Sequence, residues 1–369
     1  MIGKKLNRAR LATKLSLREL AQRAGGVVSA QAIGRYENDQ MMPSSETLLA
    51  LAKGLNVSPE YLLRSDSIKL TDLNFRKSTS LSAKLDASVE SKVVDYLQQF
   101  SELQKIISID LPTWIRPKGN SFNVQSSDDA ENAAQVLRNL WGLGITPITS
   151  LAHVLEQRSI RVLLLDLPLD YSGTKAIAKI KGGKVFPVIL ANKNQNPERQ
   201  RFTYAHELAH LVLSFPKAMS EAAQENLSDR FAGALLVNGL HLSNCLCGPR
   251  SALSIGELLD LKKEFRVSLA AMIVRCRQTG LITQALYLDL WSQVKTLGLN
   301  NSDTQEPNPC TQDTPSELER LCYFAVSESL ISLSKAAEIL QISARTLDRK
   351  LHGKLITLIR SDRTNSLAH

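Results

Sequence analysis

His206, Glu207 and His210 lie in the segment ERQRFTYAHELAHLVL, residues 198–213, at a spacing that could hold and use a metal ion. The segment has helical periodicity. Residues four apart on a helix project from one face, so the two imidazoles point the same way and can share one divalent ion. Glu207 follows the first His and stands beside that ion, placed to polarise a water there instead of ligating the metal. Pro197 and Glu198 suit a first helical turn, where a missing N–H costs nothing and a carboxylate meets the positive end of the dipole. Phe202, Ala205, Leu208, Ala209 and the run 211–213 make the helix apolar on several sides. It is therefore expected to be buried, and a buried His pair needs a partner.

A third ligand is available in QENLSDRFAGALLV, residues 224–237, a second apolar helical pattern that puts Glu225 and Asp229 on one face. Glu225 can complete a His2Glu site with one position open for water. Asp229 can accept a hydrogen bond from a ligand imidazole and so fix its tautomer. The bland alternative for both is a pair of surface carboxylates. Together the two segments resemble the ImmA/IrrE family of metallopeptidases, which cleave or inactivate DNA-binding repressors in response to stress or signals. The resemblance implies Zn2+ as cofactor, His206, His210 and Glu225 as its ligands, Glu207 as general base and a repressor protein as substrate. The chain departs from the family where Val237-Asn238-Gly239 replaces a Pro that often ends the second helix. That difference touches a helix end and leaves the metal ligands alone. No oxyanion-stabilising group is identified by spacing; Tyr204, His153 and His241 are the candidates.

The chain around these residues is 369 long, 43% hydrophobic and 22% charged, ordinary globular material with room for two or three domains. Its longest apolar patches, residues 162–169 and 186–191, are too short to span a membrane and read as buried strands. The basic start, residues 1–10, leads into no signal-peptide apolar region, so a cytoplasmic protein is expected. Five scattered cysteines, with Cys245 and Cys247 too close for the usual zinc pair, point to reduced thiols.

Residues 1–65 hold ten Lys/Arg against five Asp/Glu, supplying +5 of the chain's net +9, and this bias favours a polyanion partner. They read as five short helices. Ser16 caps the second, Gly25-Gly26 breaks the chain before a helix over 29–38, and residues 43–46 open a fourth. The run from Ser16 to Leu63 is similar to the XRE family of helix-turn-helix DNA-binding domains. Carried onto this sequence, the resemblance turns Ser29, Gln31 and Arg35 toward base edges of a double-stranded operator, with Arg18 and Lys14 on phosphates. Ile33, Tyr36 and the Leu20/Ala21 side pack inward.

Residues 66–112 read as a linker followed by an amphipathic helix whose stripe is Leu85, Val89, Val93, Leu97, Phe100, Leu103 and Ile107. Such a stripe either packs on its own domain or makes the homodimer that a half-site reader calls for. Residues 113–300 read as the peptidase domain. It has helices over 128–140 and 148–157, a strand over 161–165, paired strands 175–180 and 185–190 around Gly182-Gly183, and helices over 254–265 and 268–279. A strand edge beside the metal helix could take an extended peptide in register. Residues 301–316, with Pro307, Pro309 and Pro315, read as a linker. Residues 317–369 form a C-terminal helical region. There, 334–351 resembles the helix-turn-helix ending of Fis-like activators, with Arg345, Arg349 and Lys350 able to touch phosphate; a regulatory bundle explains the same pattern.

The expected fold is α+β: an N-terminal all-α helix-turn-helix domain, a mixed α/β zincin-like metallopeptidase domain and a C-terminal helical region. The expected function is a DNA-binding transcriptional regulator whose zinc peptidase domain cleaves a repressor, or a copy of itself. The rival is a non-cleaving regulator whose peptidase-like domain senses a small molecule.

Overall fold

The computed structural model describes the chain apart from residues 1, 14, 58, 64–67, 72–82, 110–111, 170, 181–184, 300–305 and 353–369. Lys14, the Gly182-Gly183 turn, most of the stretch between Leu63 and Ala83, and the first part of the expected 301–316 linker lie outside the described residues. Two compact units are formed. One gathers Met1–Ile68, Ala83–Pro112 and Ser316–His369; the other gathers Lys69–Ser82 and Thr113–Pro315.

The first unit opens with α1 (Ile2–Ala12), α2 (Leu17–Arg23), α3 (Ala30–Glu37), α4 (Ser45–Leu55) and α5 (Pro59–Leu63). Ser16, Ser29 and Ser44 sit in extended backbone ahead of α2, α3 and α4, and each side-chain oxygen accepts a backbone N–H of the first turn. These caps satisfy donors that no helical carbonyl can reach. Gly25 and Gly26 take φ of +76° and +71°, a left-handed turn that residues with a Cβ adopt at a cost. Leu6, Leu20, Ile33, Leu51 and Leu62 are buried between the helices. Arg10 clamps α1 to the end of α3: its Nε and Nη2 donate to the two carboxylate oxygens of Glu37 at 2.6 and 2.8 Å.

After β1 (Ile68–Thr71) comes α6 (Ala83–Ile107), which packs on α1. Of its expected stripe, Val89, Val93, Leu97, Phe100, Leu103 and Ile107 are all buried within this one chain; the Leu85 side chain lies outside the described residues. The stripe is thus covered intramolecularly, and it carries no argument for a dimer.

The second unit runs through a short 3-10 turn (Asn120–Phe122), α7 (Ser127–Leu140), α8 (Leu151–Gln157), β2 (Arg161–Leu165), β3 (Gly173–Ile180) and β4 (Val185–Asn192). It continues with α9 (Pro197–Val212), α10 (Glu221–Leu236), α11 (Gly239–Leu246), α12 (Ile255–Phe265), α13 (Leu269–Gln278) and α14 (Gln284–Thr296). The sheet order is β1-β3-β4-β2, with β3 antiparallel and β2 parallel to β4. β4 is buried along nearly its whole length, as its apolar run 185–191 requires, and ends in the buried Asn192, whose side chain donates to the Pro168 and Tyr171 carbonyls. β3 has β1 on its far side, so this chain already occupies part of the edge where a peptide strand was expected to add. Helix α9 lies on β3 and β4. It can do so because Gly173 has no Cβ, which would collide with the Leu190 carbonyl and the Thr203 methyl.

Two expected boundaries shift. The helix expected from 148 starts at Leu151, where the Ser150 side chain accepts from the His153 N–H at 3.1 Å and so sets the first turn. Val237-Asn238-Gly239 does more than end a helix. The Asn238 side chain accepts from the His241 N–H and starts α11, which the apolar periodicity did not reveal.

The expected linker after α14 is corrected where it is described. Residues 306–313 are strapped onto the second unit. Lys262 Nζ donates to the Pro307 carbonyl at 2.7 Å, to the Asn308 carbonyl at 3.2 Å and to Glu198 Oε1 at 3.0 Å. The Cys310 N–H donates to the same Glu198 oxygen at 2.8 Å. Asp313 is 2% exposed and pairs with the fully buried guanidinium of Arg201, while Ser150 Oγ and the Leu151 N–H donate to it at 2.7 and 2.8 Å. The segment looks like a linker because it is polar and Pro-rich, yet its polar atoms are what hold it.

The chain then returns to the first unit as α15 (Glu317–Ser327) and α16 (Leu333–Ile339), followed by a turn and a helix over 344–352. Phe100, Leu103 and Ile107 of α6 share a core with Leu318, Cys322, Ile339 and Leu347. No described helix is long and apolar enough to cross a membrane.

Candidate functional site

Helix α9 is started by Asn196, whose side chain accepts from the Arg199 N–H at 2.7 Å, with Pro197 in the first turn. Its other end carries cations. Arg116 Nη2 donates to the Leu213 carbonyl at 2.7 Å, and Lys175 Nζ approaches the His210 carbonyl at 3.4 Å. Both sit where the helix dipole is negative. Helix α10, started by Ser220, packs along α9 and presents Glu225 and Asp229 to it.

Three donor atoms converge between these helices. Nε2 of His206 and Nε2 of His210 are 3.1 Å apart; Glu225 places Oε2 3.3 Å from His206 Nε2 and Oε1 3.6 Å from His210 Nε2. Ligands held at typical zinc–nitrogen and zinc–oxygen distances at the tetrahedral angle stand about 3.4 Å from one another. The observed triangle brackets that spacing. Behind it, His206 Nδ1 is 2.7 Å from Asp229 Oδ1. With the Nδ1 proton donated to Asp229, the Nε2 lone pair of His206 is turned toward His210 and Glu225, an arrangement suited to holding a cation. The donor set and its spacing fit zinc. Glu207, 4% exposed, lies next to His206 on the helix and a step round from the three donors.

The oxyanion candidates do not join this cluster. Tyr204 is fully buried, and its hydroxyl donates to the Asp313 carbonyl at 3.2 Å. Two residues along a helix rotate a side chain by roughly 160° to the far side, so its position before His206 was misleading. His153 contacts Gln157 at 3.0 Å within α8, and His241 contacts Glu264 at 3.0 Å. Arg116, Lys175 and Asp313 were not found from sequence. Their partners lie 97, 35 and 112 positions away, and no local spacing signals such contacts.

In the first unit, Gln31 and Arg35 are exposed on α3, while Ile33 and Tyr36 are buried beneath them. Ser29 sits at the helix start. Its Oγ accepts from the Ala32 N–H at 3.1 Å, which leaves the hydroxyl proton to donate outward. Arg18 is exposed on α2; Lys14 lies outside the described residues. Arg345, Arg349 and Lys350 are exposed on the helix over 344–352, with Lys350 Nζ donating to Glu319 at 2.6 Å.

Residues 6–62 match a family model described as helix-turn-helix, and residues 155–277 match the IrrE N-terminal-like domain. The second match spans α9 and α10, the two helices that bring His206, His210 and Glu225 together. A comparison with curated proteins finds no match.

Proposed function

Because this chain joins an XRE-type helix-turn-helix domain to an IrrE N-terminal-like domain, we propose that it is a cytoplasmic transcriptional regulator whose second domain is a zinc-dependent peptidase that cleaves a repressor protein, a second copy of itself included, in answer to a signal. The observation that supports it is the triangle of His206, His210 and Glu225 with Asp229 behind one imidazole.

His206, His210 and Glu225 would hold the zinc. Zinc in that set supplies Lewis acidity toward a water and a peptide carbonyl. Glu207 takes the proton of the attacking water and returns it to the leaving amine as the C–N bond breaks. Asp229 keeps the His206 proton on Nδ1 and so its lone pair on Nε2. Mass spectrometry of the zinc-loaded protein incubated with its operator, with and without candidate repressors, should show fragments that Glu207→Gln does not produce. Intact proteins throughout would favour a ligand-sensing role.

The helix-turn-helix domain would read an operator through Gln31 and Arg35, since Gln pairs with adenine and Arg with guanine in the major groove. Gln31→Ala or Arg35→Ala is expected to cost about 1 to 3 kcal/mol on the specific site and little on random DNA. Equal losses on both would show that these side chains do not read bases. An operator with two half-sites calls for a homodimer. With the α6 stripe covered, that dimer must use another surface. Sedimentation of the full chain should show a concentration-dependent dimer, unchanged by Lys105→Ala on the exposed face of α6. A monomer at every concentration would assign dimerisation to DNA.

A further inference from the structure

We infer that His241, Cys245 and Glu264 form a second metal site, separate from the His206 group, taking a zinc-class divalent ion through an imidazole, a thiolate and a carboxylate. His241 and Cys245 stand one turn apart on α11, and Glu264 comes from α12. Their donor atoms all lie within 4.8 Å of one another. His241 Nε2 is 3.0 Å from Glu264 Oε1, and Cys245 Sγ is 3.8 and 4.0 Å from the two Glu264 oxygens. Around a tetrahedral zinc these separations would be about 3.4 Å for nitrogen to oxygen and about 3.6 Å for sulfur to oxygen. Closing the cluster onto an ion needs only small side-chain adjustments.

The backbone beneath is fixed. Leu242 and Leu246 bury the inner side of α11, and Phe265 does the same for α12. Phe265 also meets the His241 ring edge-on with centroids 5.4 Å apart, limiting how that imidazole turns. The outer side is open: the His241 side chain is 20% exposed and that of Glu264 46%. A lone His–Glu contact of this exposure would be an ordinary surface ion pair. The thiol changes its chemistry, because sulfur with imidazole and carboxylate selects a borderline-soft ion over magnesium or calcium. The two-residue spacing of Cys245 and Cys247 argues against a cysteine pair. The partners of Cys245 come instead from one turn back and from the next helix.

The chemistry separates this site from the His206 group, which contains no sulfur. Reduced, metal-free full-length protein is titrated with Co2+ alone and followed by absorbance and by metal content. The expected result is a near-ultraviolet thiolate-to-cobalt band and a second equivalent of bound ion. Cys245→Ser should abolish the band and that equivalent. His241→Ala should weaken it by more than the roughly 10 to 100-fold typical of a supporting partner. The His206→Ala/His210→Ala double variant should keep the band, so failure of the proposed peptidase centre does not mask this site. Cys247→Ser should also keep it. No sulfur band in the wild type, or one that survives Cys245→Ser, overturns the assignment.

Discussion

Replacing His206, His210 or Glu225 by Ala is expected to strip zinc from the second unit, whereas Glu207→Gln should keep zinc and lose cleavage by about 10²-fold or more. The two losses separate because the donor atoms of His206, His210 and Glu225 converge, whereas Glu207 is not among the converging donors. Asp229→Ala should keep the fold and weaken zinc by roughly 10 to 100-fold, since it removes the acceptor at His206 Nδ1 and no ligand. Metal analysis and cleavage by mass spectrometry read these outcomes. If Glu207→Gln lost the metal along with the ligand variants, the carboxylate would be holding the ion. If purified protein carried no zinc and Glu207→Gln left operator regulation unchanged in cells, the peptidase reading would be falsified.

Asp313→Ala is expected to destabilise the second unit by about 3 to 5 kcal/mol, because it leaves the fully buried Arg201 guanidinium without its counter-ion. For a unit of this size that is a fall in Tm of roughly 6 to 20 °C. The double variant Arg201→Met/Asp313→Leu should recover much of the loss, since replacing both partners by apolar groups removes the unpaired charge. Thermal unfolding followed by circular dichroism tests both. A shift within about 0.5 kcal/mol for Asp313→Ala, the size expected of an exposed residue, would mean residues 306–313 leave the helix in solution.

What could be read from sequence was what depends on local spacing. The convergence of His206, His210 and Glu225 is legible because helical rise puts residues four apart on one face. The helix starts at Ser16 and Ser44 are legible for the same reason: a cap is a one-turn event. Tyr204 was misplaced by proximity, although the same helical geometry that found the triad points it away. Asp313 could not be found at all. Its partners Arg201, Ser150 and Leu151 are brought to it only by tertiary packing, and a stretch with Pro307, Pro309 and Pro315 has no periodicity of its own.

Helix α9 is two-sided: His206 and His210 face α10, while Glu198, Arg201 and Tyr204 face residues 306–313. The family match ends at residue 277, but the helix that carries its histidines is completed from further along the chain. A fragment cut at the end of that match would expose Arg201 and Lys262 to water on a surface shaped for Asp313, Pro307 and Asn308. The smallest excisable piece that keeps α9 intact therefore extends to Pro315, and trimming this protein to the span of its family match would cut through the floor of that helix.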